Sequence, residues 1–113
     1  MDRVDNYEQR FGGIRRLYTP EGLARLRQAH VCVIGIGGVG SWVVEALARS
    51  GVGQITMIDM DDICVTNINR QLPALSGNIG KLKTEVMAER VKLINPECVV
   101  NIIDDFISPY NQA

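Results

Sequence analysis

Residues 31–40 read VCVIGIGGVG, and Asp59 stands 19 positions after the last of these glycines. The opening VCVIG is a compact apolar run closed by glycine, the pattern of a parallel strand buried on both faces. Gly35, Gly37, Gly38 and Gly40 suit a turn that leaves such a strand and enters a helix. Gly35 permits the tight turn, Gly37 lets the backbone approach a phosphate with no Cβ in the way, and Gly40 allows helix and strand to pack closely. The helix N-terminus that follows adds unpaired N–H groups and partial positive charge. A glycine turn with an acid about 20 residues later predicts a nucleotide site in which Asp59 accepts hydrogen bonds from the ribose hydroxyls. A turn that is glycine-rich for packing alone is the alternative. No GxxxxGK[ST] run is present, so the phosphates are not held by a P-loop.

Outward from this turn, the periodicity predicts a helix over 39–50 with Val43, Val44 and Leu47 in the core, ended by Gly51 in a left-handed conformation. A second strand falls at 55–59. Residues 60–80 form a long Asp-, Asn- and Gly-rich connection, and long loops in compact domains are usually functional. A helix over 82–94 places Met87, Val91 and Ile94 on one side and stops at Asn95-Pro96. A third strand spans 98–103; the last ten residues show no settled pattern. Before the first strand, TPEG at 19–22 reads as a helix start with Thr19 as N-cap and Pro20 at the first helical position, and Leu23 and Leu26 on its apolar side. Residues 1–18 read as a polar arm in which Gly12 and Gly13 break any helix.

Strands alternating with helices imply a parallel sheet with right-handed crossovers. The expected fold is α/β, a Rossmann-like three-layer arrangement. The expected domains are an arm and short helix over 1–30 and one half of a nucleotide-binding domain over 31–113. In the six-stranded order the first strand is flanked by the second and fourth. Nothing here supplies a fourth, so the first strand should offer an open edge, which implies a longer protein or a partner chain.

The chain has 113 residues, enough for one small domain. It is 46% hydrophobic and 22% charged with a net charge of -1, so no global field recruits nucleic acid or an acidic membrane. The first 30 residues carry six Arg against four acids, a mild basic bias. Cys32, Cys64 and Cys98 lie too far apart for a zinc-ligand pair, and no metal-ligating residues are predicted. Cys32 and Cys98 read as small core residues, Cys64 as the accessible thiol. Free thiols fit a reducing cytoplasm, and no signal peptide or long apolar run points to secretion or a membrane. His30, the one histidine, reads as structural.

TNINRQ at 66–71 is unusual for a dehydrogenase. Asn67 can bond a phosphate oxygen and loop backbone, and Arg70 offers a planar, permanently charged fork. Lys81 and Lys83 open a helix whose dipole disfavours cations there, so a nearby anion gives them a purpose. Two extra cations suit a triphosphate and a reaction that builds charge on departing pyrophosphate. Exposed surface cations are the alternative. Asp61 and Asp62 could orient a loop Arg, sit near a metal, or be solvated.

GIGGVG, DMDDICVTNINRQ, GKLK and INPEC together resemble the ThiF/MoeB/HesA family, relatives of the ubiquitin-activating enzymes. QRFGG, RLY at 16–18 and GGVGSWVVEALARSG are similar to its bacterial branch that activates and cyclises a threonylcarbamoyl group on a tRNA adenosine. The resemblance spans residues 9–107. It implies an ATP-binding domain that adenylates a carboxylate with Mg²⁺, in a homodimer. Gly35, Gly37, Gly38 and Gly40 match the family's phosphate turn and Asp59 its ribose acid, with Asp61 nearby. Asn67, Arg70 and Lys83 match the residues that contact the phosphates. Arg10 resembles an arginine that reaches the partner subunit's ATP. A tRNA substrate is implied. A sulfur-carrier protein or a cysteine desulfurase is the alternative partner, and an NAD-dependent oxidoreductase the more distant reading.

Overall fold

The computed structural model describes residues 6–104. The elements run α1 (Asn6–Arg10), α2 (Gly12–Gln28), β1 (His30–Ile34), α3 (Gly40–Arg49), β2 (Gln54–Ile58), α4 (Lys83–Ile94) and β3 (Val99–Ile103). Short 3-10 turns at Val65–Asn67 and Ser76–Asn78 break the long connection. The three strands are parallel in the order β1-β2-β3, with Cys32 beside Thr56 and Thr56 beside Asn101. Each predicted strand and helix of the α/β frame forms within about a turn of its expected place; the tail past residue 104 lies outside the described residues.

Side chains alternate across the sheet, and among the described residues the helices cover one face. Val33, Ile55 and Met57 pack against Val44 and Ala48 of α3 and Met87 and Val91 of α4, with Cys98 sealing the end. The other face carries His30, Cys32 and Ile34 of β1. All three are exposed, Ile34 to 64%. The expectation of a first strand buried on both faces is therefore corrected, and so is a core place for Cys32. Both helical crossovers of a right-handed β-α-β-α-β unit fall on the same face, which leaves the second face without a layer here. Val43 is also corrected: it points outward from α3, where Ser41, Val44 and Ala48 are the buried positions.

The N-terminal segment is the larger correction. Gly12 and Gly13 do not break a helix; they are its first residues, and α2 continues to Gln28 with a kink at Thr19 (φ 72°). There Thr19 Oγ1 accepts the Gly22 N–H at 3.3 Å, the predicted cap, so the TPEG reading holds as a helix restart. Tyr7 and Phe11 are buried with Leu23 in a small second core. Tyr7 Oη donates to the Gly51 carbonyl at 2.6 Å, and the Arg27 guanidinium lies over its ring. Gly51 (φ 82°) closes α3, with Val52 N–H bonded to Leu47 O and Gly51 N–H to Ala48 O, a Schellman ending. A Cβ there would meet Tyr7 Oη at 2.8 Å, so one glycine serves both the cap and the arm. Among the described residues no helix is long and apolar enough to cross a membrane.

Candidate functional site

The glycine turn sits at the C-terminal ends of β1 and β2, the edge where open α/β sheets bind ligands. Gly35 has φ 85° and its N–H donates to Ile58 O at 2.8 Å. A Cβ on Gly40 would fall 1.7 Å from Gly35 O, so close approach of α3 to the turn excludes any side chain. Gly37 differs: its nearest neighbour would be Gln71 Nε2 at 3.9 Å, ordinary contact. The fold requires glycine at 40 and only tolerates it at 37, which leaves Gly37 free to serve a ligand's approach.

Asp59 stands at the end of β2. Its Oδ2 accepts the Ile36 N–H at 2.6 Å and its Oδ1 the Asp61 N–H at 2.7 Å, so the carboxylate ties the glycine turn to the next loop. Asp61 in turn faces Lys83, Nζ to Oδ2 3.9 Å. Lys83 is buried although it opens α4, where the helix dipole disfavours it; Asp61 is the anion beside it. The chain Gly turn–Asp59–Asp61–Lys83 is continuous.

The 66–72 loop closes the other side. The Arg70 stem would touch a Cβ on Gly38 at 3.5 Å, and its Nη1 donates to Thr66 O and Asn69 Oδ1. Asn67 is buried, with Oδ1 accepting the Cys64 N–H at 2.9 Å; it braces the loop backbone, one of the two tasks expected of it. The structure thus brings together the four glycines, Asp59, Asp61, Asn67, Arg70 and Lys83. It does not bring in Arg10, whose Nη1 donates to Leu93 O and Ile94 O at the far end of α4, about 16 Å of helix away from Lys83.

Three residues escaped the sequence reading. Ser41 Oγ donates to Gly37 O at 2.5 Å and accepts the Leu72 N–H at 3.2 Å, pinning loop to turn. Trp42 Nε1 donates to Arg70 O at 3.0 Å. Gln71 is buried beside Gly37, and among the described residues its Oε1 has no hydrogen-bond partner; a buried acceptor left unpaired is costly, so a donor brought by a ligand fits there. A polar residue just after a GxGxxG turn was the one available signal, and only for Ser41.

The chain belongs to the ThiF family, whose model matches residues 12–113. It is 86% identical over its whole length to the tRNA threonylcarbamoyladenosine dehydratase of Haemophilus influenzae, of which it covers 43%. It is 61% identical to the Escherichia coli enzyme of the same name, over 96% of this chain and 41% of that one. The crystal structure of the Escherichia coli dehydratase in complex with ATP superimposes with a TM-score of 0.94 at 58% identity, over 98% of this chain and 46% of that one. The chain therefore spans less than half the length of these relatives.

Proposed function

We propose that this chain carries the ATP-binding part of an enzyme that adenylates a carboxylate, the threonylcarbamoyl group of a tRNA adenosine, and so promotes its cyclising dehydration. The observation that carries the reading is the gathering of two cations, Arg70 and Lys83, around a glycine turn and strand-end acid. A dinucleotide's pyrophosphate needs neither. The likeness to a dehydratase bound to ATP points the same way.

In this reading Asp59 exchanges its bonds to loop N–H groups for the ribose hydroxyls. Gly37 and Gly38 admit the phosphates, and Lys83 leaves Asp61 to face them. A carboxylate oxygen of the substrate attacks the α-phosphorus as the bond to pyrophosphate breaks; Arg70, Lys83 and the turn's N–H groups stabilise the charge on the leaving group. Mg²⁺ carried in with the triphosphate would add to that neutralisation; among the described residues no group of three or more His, Cys, Asp or Glu side chains could hold it, so its ligands here would be the phosphates themselves. No protein nucleophile is needed for this step. The protein acts in the cytoplasm as a homodimer, with Arg10 staying on α4, where its bonds to Leu93 O and Ile94 O hold it.

The test is titration calorimetry of the chain with MgATP and, separately, NADH, followed by ATP–pyrophosphate exchange in the full-length protein. MgATP is expected to bind and NADH not to. Arg70→Ala should cut exchange about tenfold or more; near-normal exchange would remove Arg70 from the site. Stimulation of ATP consumption by threonylcarbamoylated tRNA, and not by a sulfur-carrier protein, decides the substrate.

A further inference from the structure

Away from the glycine turn, Arg10, Arg49 and Arg90 converge on one open cavity of about 370 Å³, completed by Phe11, Leu93 and Ile94. Arg90 and Leu93 also line a second cavity, of about 220 Å³, whose other wall includes Lys81 and Glu89. The two cavities therefore adjoin along α4. They form a strip from Lys81, two residues before the Lys83 of the nucleotide site, to Arg10 at the helix's far end. Lys81 stands two residues before α4, and from Lys83 at its start to Arg90 the helix rises about 10 Å.

The cations of this strip are not used up by one another's company. Glu45 is the carboxylate that organises them: Arg90 Nε and Nη2 bind its two oxygens at 2.6 and 3.0 Å, and Arg49 Nε binds at 3.1 Å. Among the described residues Arg49 thereby keeps both Nη groups, and Arg90 keeps Nη1. Arg10 spends Nη1 alone, on two carbonyls. Lys81 has only a 3.4 Å contact with Asn78 Oδ1. Four cations face two carboxylates, Glu45 and Glu89, in a chain whose net charge is -1. A fixed row of guanidinium donors with spare N–H groups suits phosphate. Two adjoining cavities along one line suit several phosphates joined in a chain better than one free anion.

We propose that this strip binds the phosphate backbone of the RNA substrate and guides it along α4 toward the nucleotide site. The inference rests on the tRNA reading above. Its test uses the full-length protein and unmodified tRNA, with the dissociation constant measured from 50 to 200 mM salt. Arg49→Gln and Lys81→Gln remove exposed charges, and Arg90 still holds Glu45. Each should weaken tRNA binding several-fold and lower the slope of log K against log salt by about 1. The double variant should show both losses, Arg49→Lys should restore most of the affinity, and MgATP binding by Arg49→Gln should be unchanged. A double variant with unaltered affinity and slope overturns the strip. Inorganic phosphate that binds with the same dependence on Arg49 and displaces no tRNA makes the cavity a small-anion site and also overturns it. Failure of the unsubstituted protein to bind tRNA, with MgATP still bound, overturns the substrate reading itself and this inference with it.

Discussion

Single atoms separate the glycines of this chain by their task. Gly40→Ala drives a Cβ to 1.7 Å from a backbone oxygen, and the turn has to move; a loss of about 3 kcal/mol or more is expected, seen as a large drop in urea midpoint. Gly37→Ala meets only ordinary contact. Its melting temperature should stay near the parent's while MgATP affinity falls at least tenfold, and unchanged affinity would free Gly37 from the phosphate role. Gly13→Ala goes the other way. It is helical, and a Cβ there meets nothing within 4 Å. Removing unfolded-state freedom should stabilise by about 0.5 kcal/mol, roughly 3 °C by circular dichroism. The fingerprint spacing already assigned Gly37 to phosphate approach and Gly40 to close packing, whereas Gly13 read as a helix breaker and is helical. The neighbour of Gly40 is the Gly35 carbonyl of the same turn, while that of Gly37 is Gln71 from a distant loop.

Among the elements, the contact between α3 and α4 depends on Glu45. The hydrogen bond from Arg90, with help from Arg49, holds its carboxyl below the ordinary 4.5, against burial, which raises it. A depressed carboxyl contributes stability that is present above the unfolded value and lost as pH falls through the folded one. Stability should therefore decline on acidification below about pH 4.5. Arg90→Gln should cost about 1 kcal/mol at pH 7, allowing for screening at a partly exposed guanidinium, and should flatten that acid slope in urea titrations. Tyr7, between α1 and α3, behaves oppositely. Burial is the largest cause pushing its hydroxyl up to about 12, so its contribution holds below pH 10 and is lost as pH rises toward 12. Tyr7→Phe forfeits the bond to Gly51 O, about 1 kcal/mol, and removes this alkaline dependence. Helix periodicity predicted α3 and α4; it could not predict a salt bridge between residues 45 positions apart, nor the burial of an arm whose sequence is polar.

At the scale of the whole molecule, the helices among the described residues cover one face of the sheet. Cys32 and Cys64 are exposed and Cys98 is buried, its thiol raised chiefly by that burial. Iodoacetamide should modify Cys32 and Cys64 in the folded chain and spare Cys98, and peptide mass mapping reads the outcome. Cys98 labelling at a rate equal to the others would contradict the core described here. The sequence by itself determined the order of strands and helices from His30 onward, the glycine turn, the strand-end Asp59 and the stop at Asn95. Each depends on local periodicity or on a backbone demand met within a few residues. Only tertiary structure decided that Lys83 is buried beside Asp61, that Gln71 lies against Gly37 and that three arginines share one cavity. Those facts depend on which distant segments meet. Parallel strands bring residues tens of positions apart to one edge of the sheet, and no local pattern records that distance.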